Sequence, residues 1–305
     1  MIAISACQGG DSAQETLTVF NAGSLARPLK AALDTFARRE NVRVHQESAG
    51  SLESARKLTE LGKVPDLIAL ADAAVFPQYL VPRYVTSYTL FARNRMVVAF
   101  TDRSRHAREI GTANWPEILT RADVDVGRSD PDLDPNGYRT LMVWQLIART
   151  RGDDALAARL EAQAVPRNVR AKEADLVGLL QAGELDYIWS YESMAKATGL
   201  RWVMLGDSVD LSQPALADFY GQARVALRGA REGEHVVFTG QPIVYALAVP
   251  AEAPNRALGE RFEAFLLGAE GRAILRREGL DVLEMPQVEH GTASAGLLAG
   301  RAARR

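Results

Sequence analysis

The chain has 305 residues, 47% of them hydrophobic, and its 36 basic residues nearly balance its 38 acidic ones. A chain of this length predicts two domains, or one large domain, with a substantial core. The formal net charge of −2 gives no general attraction to nucleic acid or to an anionic membrane. No apolar run reaches the roughly 18 residues that a membrane-spanning helix needs, so no transmembrane helix is predicted.

The only cysteine, Cys7, lies near the start of the chain in the segment Ile4-Ser5-Ala6-Cys7. This segment resembles the lipobox of a bacterial lipoprotein, in which the cysteine becomes the lipidated N-terminus. The basic and apolar parts of an ordinary leader are missing, so residues 1–15 are predicted to be a truncated leader and tether. The lack of other cysteines is typical of exported proteins. We expect a periplasmic or cell-surface protein anchored through Cys7; the alternative is an inert thiol.

Strand-like apolar runs recur along the chain and alternate with amphipathic helical stretches. The runs are Leu17–Phe20, Val42–His45, Leu67–Leu70, Met96–Phe100, Val124–Val126, Tyr187–Ser190, Trp202–Leu205, Ala223–Leu227 and Ile243–Val249. Helical periodicity is clearest in residues 25–36, 52–61 and 176–180. This alternation favours an α/β fold with a mostly parallel sheet and helices on both faces. The last two runs are predicted to form an antiparallel pair.

Two Ala-Gly-Ser turns follow the first two predicted strands. They end in Ser24 and Ser51, and a helix is predicted to begin at each serine. Glycine permits a tight turn, and serine is a favoured N-cap. A helix N-terminus of this kind binds an oxyanion through backbone N–H groups, without a cationic side chain. The two turns are therefore candidate anion-binding elements.

An acidic turn follows the predicted strand Val124–Val126. Residues 127–140 contain three aspartates and two prolines and lead directly into a helix. Asp134-Pro135 is predicted to supply the N-cap and the first residue of that helix. In open α/β folds, ligands bind at the carboxyl ends of strands, where these acidic side chains lie. We expect Arg139, which follows the turn, to pair with Asp130 or Asp132.

Several short segments occur in an order that a known family shares. They are Asn21-Ala22-Gly23-Ser24-Leu25, Ala49-Gly50-Ser51, Gly127 to Thr140, Lys172-Glu173-Ala174-Asp175-Leu176, Asp186-Tyr187 with Tyr191 and Ser193, and Pro242-Ile243-Val244-Tyr245. Together they resemble the molybdate/tungstate-binding proteins of ABC transporters, in the archaeal-type branch that also occurs in bacteria. The resemblance implies an α/β, two-lobed type II periplasmic-binding-protein fold, with mixed sheets, helices on both faces and a ligand cleft between the lobes.

The resemblance also implies a domain organisation and a set of partners. Residues 16–95 and 210–285 would form a discontinuous lobe 1, and residues 96–209 a continuous lobe 2. Residues 286–305 lack periodicity and are predicted to be a disordered tail. The implied protein is a monomer that delivers its anion to an ABC transporter permease. It would have no enzymatic activity, no cofactor and no nucleic-acid partner.

The resemblance implies five ligand-binding residues. Ser24 and Ser51 would hold the oxyanion together with backbone N–H groups, and Tyr191 would lie near it. Asp134 and Glu173 would coordinate the molybdenum or tungsten atom. A carboxylate that merely faced the dianion would be repelled by about 4 kcal/mol per pair of unit charges at about 4 Å. The carboxylates are therefore expected to bind the metal atom as hard oxygen ligands. Sulfate cannot accept further oxygen ligands, so the same carboxylates would reject it.

Three other functions stay open from the sequence. A binding protein for another oxyanion, such as sulfate or phosphate, would share the fold, and Asp134 alone could accept the proton of a phosphate; the pair with Glu173 argues against it. An enzyme on this fold is disfavoured because the histidines show no ligand or triad spacing. They are His45, His106, His235 and His290. The effector-binding half of a transcription regulator is disfavoured because no basic helix-turn-helix segment precedes residue 16.

Overall fold

The structure is a computed structural model that describes residues 14–229 and 233–290. Its strands are β1 (Thr16–Ala22), β2 (Arg43–Ala49), β3 (Leu67–Leu70), β4 (Ser87–Arg93), β5 (Met96–Phe100), β6 (Val126–Ser129), β7 (Val169–Arg170), β8 (Tyr187–Tyr191), β9 (Arg201–Met204), β10 (Arg224–Arg228), β11 (His235–Thr239), β12 (Val244–Ala248) and β13 (Asp281–His290). Its α-helices are α1 (Ala26–Glu40), α2 (Ser51–Thr59), α3 (Trp115–Leu119), α4 (Pro135–Arg151), α5 (Leu156–Gln163), α6 (Glu173–Ala182), α7 (Glu192–Thr198), α8 (Ala217–Tyr220), α9 (Arg256–Leu267) and α10 (Ala269–Arg277).

The first lobe is built on a six-stranded sheet with the order β13-β4-β12-β3-β1-β2. Strand β1 runs parallel to β2 and β3, and β12 runs antiparallel to β3 and β4. Every residue of β3 is buried, as expected for an inner strand that is covered on both faces. The carboxyl ends of β1, β2 and β3 therefore lie at one edge of this sheet.

The second lobe is built on a five-stranded sheet with the order β7-β6-β8-β5-β9. Strand β6 is parallel to β7 and β8, whereas β5 is antiparallel to β8 and β9. The expectation of a mostly parallel sheet is therefore wrong for both lobes. Each of β5 and β12 is the first strand that the chain adds to a sheet after it has crossed from the other one. Both run antiparallel to their neighbours.

The chain passes between the two sheets twice. Residues 94–95 join β4 of the first sheet to β5 of the second, and the chain returns between β9 and β12. The implied fold class is confirmed: two α/β lobes with mixed sheets and a cleft between them. The residue boundaries of the lobes as folding units stay a prediction.

The hairpin near the return passage differs from the prediction. Strand β10 pairs antiparallel with β11, with Leu227 opposite Val236, and these two strands form a separate sheet. Strand β12 lies instead between β3 and β4 in the six-stranded sheet. The difference follows from burial, because β10 alternates exposed and buried residues whereas four of the five residues of β12 are buried.

Strand β13 occupies part of the segment that was predicted to be a disordered tail. Residues 287–290 pair with β4, and the strand continues from Asp281 through a register shift after Val282. The prediction of disorder is therefore wrong for residues 286–290. Pairing with a sheet edge uses backbone groups, so it does not need the apolar periodicity that the sequence lacks here. Residues 291–305 and Cys7 lie outside the described residues.

Aromatic side chains pack within the largely aliphatic core of each lobe. In the second lobe, Trp189 makes edge-to-face contacts with Trp115 and Trp144, at ring-centroid distances of 5.6 and 5.9 Å. In the first lobe, Phe36 packs against Phe262 at 5.1 Å. Trp144 and Trp189 are both buried core residues. Among the described residues, no helix is both long and apolar enough to cross a membrane.

Candidate anion-binding site

The candidate site lies where loops from both lobes meet. The first lobe contributes the short 3-10 turn Gly23–Leu25 after β1 and the start of α2, and the second lobe contributes the starts of α4 and α6. Gly50, which precedes α2, lies directly against the acidic turn, because a Cβ atom there would be 2.1 Å from the carbonyl oxygen of Leu133. The amide of Glu53 donates to the same oxygen at 3.3 Å. The two lobes are therefore closed on each other.

The two serines do not cap helices as predicted. Neither helix start has a side-chain capping bond, and Ser51 is the first residue of α2 rather than its N-cap. Ser51 Oγ accepts a hydrogen bond from the backbone N–H of Ala71 at 3.0 Å, and Ser24 Oγ accepts one from the Tyr245 hydroxyl at 3.0 Å. A serine hydroxyl that already accepts keeps its own proton available for donation. Both serines are thus set up as hydrogen-bond donors.

Asn94 determines which way the Tyr245 hydroxyl points. The side-chain amide of Asn94 donates to the Tyr245 oxygen at 2.6 Å and to the Ser193 hydroxyl at 2.7 Å. The Tyr245 proton is therefore directed to Ser24. Asn94 lies in the connection between β4 and β5, so one side chain joins the passage between the lobes to the candidate site.

Asp134 joins the N-termini of two helices. It is the N-cap of α4, with Pro135 as the first helical residue, so the predicted cap is confirmed. One carboxylate oxygen accepts from the Asn136 amide at 3.4 Å, and the other accepts from the Glu173 amide at 2.8 Å. This bridge fixes the start of α6 beside the start of α4. The residue is 5% exposed, so its charge lies in a nearly dry environment.

Glu173 is the first residue of α6, and only one of its two carboxylate oxygens accepts hydrogen bonds. Its Oε1 accepts from the Ser190 hydroxyl and from the Tyr191 amide, both at 2.6 Å. Its Oε2 has no hydrogen-bond partner among the described residues, although the residue is only 1% exposed. A buried acceptor without a donor is costly, so this atom is ready to bind a proton or an electropositive centre.

The acidic pair has strongly perturbed protonation. Burial raises the pKa of Asp134 to about 6. Burial also raises the pKa of Glu173 to about 8, and the nearby charge of Asp134 adds to this rise. Desolvation disfavours the charged form of a carboxyl group, and a like charge close by does the same. Perturbed carboxylates of this kind occur at functional sites more often than at structural ones.

Tyr191, at the end of β8, completes the group of candidate residues. Its hydroxyl accepts a hydrogen bond from Nη1 of Arg139 at 2.8 Å, which leaves the hydroxyl proton available for donation. Burial raises the pKa of Tyr191 well above its ordinary value, so the hydroxyl stays protonated. The centroid of its ring lies 6.1 Å from that of Tyr245. Since Tyr245 also donates a hydrogen bond to Ser24, it contacts candidate residues of both lobes.

Sequence reasoning missed or misplaced several residues that support this site. Arg139 does not pair with Asp130 or Asp132; it forms a buried ion pair with Asp72, which follows β3. Asn94 and Tyr245 were not predicted to have a role, although Tyr245 belongs to one of the segments that carry the resemblance. Arg139 belongs to the segment Gly127 to Thr140, which carries part of the resemblance, so the sequence did point to this residue. Its partner Asp72 comes from the other lobe and cannot be deduced from the sequence near Arg139.

The candidate residues carry both hydrogen-bond donors and hard oxygen acceptors. Hydroxyl protons of Ser24, Ser51 and Tyr191 suit the oxygens of an oxyanion, whereas carboxylate oxygens of Asp134 and Glu173 suit a high-valent metal atom. Across residues 14–229 and 233–290, no cluster of three or more histidine, cysteine, aspartate or glutamate residues could hold a metal ion. Two carboxylates alone would leave a bare cation poorly coordinated, so a metal centre here would have to bring ligands of its own.

These features define a two-lobed binding protein of the periplasmic type. The family model described as bacterial extracellular solute-binding protein matches residues 17–281. The chain belongs to this family.

Relatives named for their ligand confirm the resemblance stated above. The molybdate/tungstate-binding protein WtpA of Pyrococcus abyssi is 36% identical over an alignment of 315 positions, gaps included, which covers 93% of this chain and 90% of that protein. WtpA of Thermococcus kodakarensis is 35% identical over 300 residues, covering 90% and 84%. An uncharacterized solute-binding protein of Petrotoga mobilis is 41% identical over 272 residues, covering 89% and 85%.

Solved structures of low sequence identity share the fold. The periplasmic molybdate-binding protein of Azotobacter vinelandii has a TM-score of 0.59 at 15% identity, covering 87% of this chain and 98% of that chain. The sulfate-binding protein SubI of Mycobacterium tuberculosis has a TM-score of 0.60 at 14% identity, covering 89% and 88%. Since proteins named for different anions match equally well, this likeness identifies the fold and not the ligand.

Proposed function

We propose that this chain is the extracytoplasmic substrate-binding protein of an ABC transporter, and that it captures tungstate or molybdate between its two lobes. The observation that carries the proposal is the buried carboxylate pair: Glu173 keeps an unpartnered oxygen, and the amide of the same residue is bound to Asp134. The protein delivers the anion to a permease. It catalyses nothing itself and needs no cofactor, because the transporter's ATPase supplies the free energy.

Hydrogen-bond donors recognise the oxygens of the anion. The hydroxyls of Ser24, Ser51 and Tyr191 each accept a bond from a protein donor, so each can donate to the ligand. A fully deprotonated oxyanion presents only acceptors and satisfies such a set completely. Buried donors that lack an acceptor are costly, so an occupant with fewer acceptor oxygens binds less well.

The carboxylates recognise the central atom. A tungstate or molybdate ion brings four oxygens to its metal, and oxygens of Asp134 and Glu173 complete octahedral coordination, which hard high-valent metals accept. Direct coordination converts the repulsion between carboxylates and dianion into bonding. Sulfate and phosphate cannot expand their coordination in this way, so an ionised carboxylate repels them and gains no bond in return.

The remaining assignments follow from the proposed role. Residues 16–95 with 210–285 and residues 96–209 are the two rigid units that close on the ligand. The chain works as a monomer outside the cytoplasm, consistent with a family described as extracellular. A lipid on Cys7 would keep it at the membrane surface near its permease.

Another oxyanion, in particular phosphate, is the alternative ligand. The pKa of Glu173 is raised by burial to about 8, so this group can exchange a proton near neutral pH. Its unpartnered oxygen could accept the proton of hydrogen phosphate, which would also satisfy a buried acceptor. Sulfate is disfavoured because it carries no proton at neutral pH to offer to a carboxylate.

Calorimetric titration of the purified chain with tungstate, molybdate, sulfate and phosphate tests the proposal. Tight binding of the first two, with no measurable binding of sulfate and phosphate, is the expected result. Binding of phosphate alone would replace the proposed ligand while keeping the fold and the donor set. Absence of binding by all four anions would overturn the proposed function.

A further inference from the structure

One ion pair crosses the cleft in a fully buried position. Nη2 of Arg139, on α4 of the second lobe, lies 3.0 Å from Oδ2 of Asp72, which follows β3 of the first lobe. Their side chains are only 2% and 4% exposed. In the described part of the chain, no other ion pair has both side chains buried to this extent.

The same guanidinium also contacts groups on both sides of the candidate site. Its Nη1 donates to the Ala71 carbonyl and to the Tyr191 hydroxyl, each at 2.8 Å. The N–H of Ala71 in turn donates to Ser51 Oγ at 3.0 Å. Arg139 therefore connects the peptide that orients Ser51 in the first lobe with the hydroxyl of Tyr191 in the second.

Asp72 is held by α4 through a second contact. The hydroxyl of Tyr138, next to Arg139 in the chain, donates to the same oxygen of Asp72. The other carboxylate oxygen accepts from the Ala74 amide at 2.9 Å, which fixes the loop after β3. Two adjacent side chains of one lobe thus close on a single carboxylate of the other.

Burial makes this contact dependent on lobe closure. Charged groups lose much of their hydration when they are buried, and only a well-placed partner offsets that cost. If the lobes separate, Arg139 and Asp72 are no longer paired and water solvates both. Removing one partner would leave the other charge buried and unpaired in the closed state only, so each such substitution disfavours closure.

We propose that Asp72 and Arg139 form a closure latch, and that Arg139 is a positioning residue that sets how long the bound anion is retained. This inference rests on the proposed function only in needing an anion around which the lobes close. Because the latch forms after the anion has entered, it acts on the dissociation rate more than on the association rate.

Stopped-flow kinetics with tungstate test the latch in the full chain carrying Asp72→Asn, Arg139→Lys or both substitutions. Each single variant should release tungstate roughly thirtyfold faster, while the association rate stays within about threefold of the unmodified protein. The double variant should release it no more than a few-fold faster than either single variant, because both substitutions remove the same contact.

Asp66→Asn is the matched control. Asp66 is a buried aspartate of the first lobe that accepts from the backbone amides of Thr18 and Asn255, both in the same lobe. Its substitution should lower the melting temperature without changing the rate of tungstate release. This control separates loss of stability from loss of the latch.

The possible outcomes distinguish the latch from the proposed function. If the unmodified chain binds tungstate and the latch variants, folded by circular dichroism, release it within twofold of the unmodified rate, the latch is overturned and the ligand assignment stands. Dissociation rates that multiply in the double variant would also overturn it, since they indicate two independent contacts. If the unmodified chain does not bind tungstate but binds phosphate, the same variants are measured with phosphate.

Discussion

The two sides of the candidate site differ in charge and in how their groups are held. The first lobe offers the neutral hydroxyls of Ser24 and Ser51, each oriented by a donor behind it. The second lobe offers the carboxylates of Asp134 and Glu173, which take hydrogen bonds from backbone amides. Of the two, only Glu173 keeps an unpartnered oxygen. A donor-only side suits any deprotonated oxyanion. An acidic side suits an anion whose central atom accepts further oxygen ligands, or one that shares a proton with a carboxylate.

This difference separates general recognition from discrimination. On the proposed function, the hydroxyl donors would provide affinity for every tetrahedral oxyanion, whereas the carboxylates would lower the affinity for those that cannot bond to them. Specificity is a difference between affinities, and a repulsive group is an effective way to create it. Substitutions on the two sides should therefore change the ligand profile in different ways.

The largest effect is expected from Asp134→Asn combined with Glu173→Gln. Tungstate affinity should fall by at least about a hundredfold, since each charged contact contributes on the order of 1.5–3 kcal/mol. Sulfate affinity should rise, because the negative charge that repels it, carried mainly by Asp134 at neutral pH, is gone. Calorimetric titration of the double variant with both anions measures the two changes.

The control for this variant is Asp175→Asn combined with Glu184→Gln. Both residues are exposed, one on α6 and one just after it, so the same net charge is removed away from the cleft. Its tungstate affinity should equal that of the unmodified chain. A loss of less than tenfold in the cleft variant would contradict coordination by the carboxylates.

The acidic side should also make the ligand-free protein sensitive to pH. Burial raises the pKa of Glu173 from 4.5 to about 8, so between these values the folded protein holds a proton that the unfolded chain has released. The contribution of Glu173 to the free energy of unfolding should therefore fall as pH rises from about 5 to about 8, by at most about 1.4 kcal/mol per pH unit. Urea unfolding at several pH values measures this slope.

Glu173→Gln should remove that part of the slope, because the amide does not titrate. Glu184→Gln, at an exposed position, should keep the slope of the unmodified chain. An identical slope in the unmodified chain and in Glu173→Gln would mean that the carboxyl is solvated in the ligand-free protein, and that the lobes are open there.

The sequence predicted the acidic side better than the neutral side, for a local reason. The N-cap role of Asp134 follows from its position before Pro135, and α4 begins there. The capping role of Ser24 and Ser51 was wrong because their hydroxyls bond to Tyr245 and Ala71, which belong to other strands or the loops after them. Contacts that depend on sheet order cannot be deduced from the residues next to a turn.

The fold shows the same limit. Two strands with continuous apolar runs, Leu67–Leu70 and Met96–Phe100, were predicted at their observed bounds. The run Val124–Val126 was placed too early, because the strand there is Val126–Ser129. Strands with polar or mixed sequences were missed, including β4, β11 and β13. Pairing of these strands is determined by which sheet edge is available, and the partner of Arg139 is determined in the same way by closure of the lobes.

A smaller effect is expected where the two sides touch. In Gly50→Ala the new Cβ would lie 2.1 Å from the Leu133 carbonyl oxygen, so the lobes could not close as described. Forcing atoms into such a contact costs about 1–3 kcal/mol, which corresponds to roughly thirtyfold weaker tungstate binding at the middle of that range. Titration measures the affinity, and small-angle scattering of the ligand-bound form measures its compactness.

Gly178→Ala is the control for this steric effect. Gly178 lies on α6, and a Cβ there would meet nothing within 4 Å. Its affinity should be unchanged, and its helix should be slightly more stable. If Gly50→Ala bound tungstate with full affinity and full compactness, the close approach of α2 to the acidic turn would not be needed for binding.

The smallest effect is expected on the neutral side, from Ser51→Ala. Loss of one donor to the anion should weaken binding by about tenfold. Ser54→Ala is a close control, because Ser54 is buried on the same helix and its hydroxyl has no hydrogen-bond partner among the described residues. Titration should show the loss for Ser51→Ala only, and equally for tungstate and molybdate.

Combining Ser51→Ala with the double carboxylate variant completes the comparison between the two sides. Sulfate affinity, gained when the carboxylates become amides, should then fall by the same factor of about ten, because the hydroxyl binds oxygens regardless of the central atom. A factor that differs between sulfate and tungstate would mean that Ser51 also discriminates among anions. The division between a recognising side and a discriminating side would then be wrong, even if the carboxylates bind the metal.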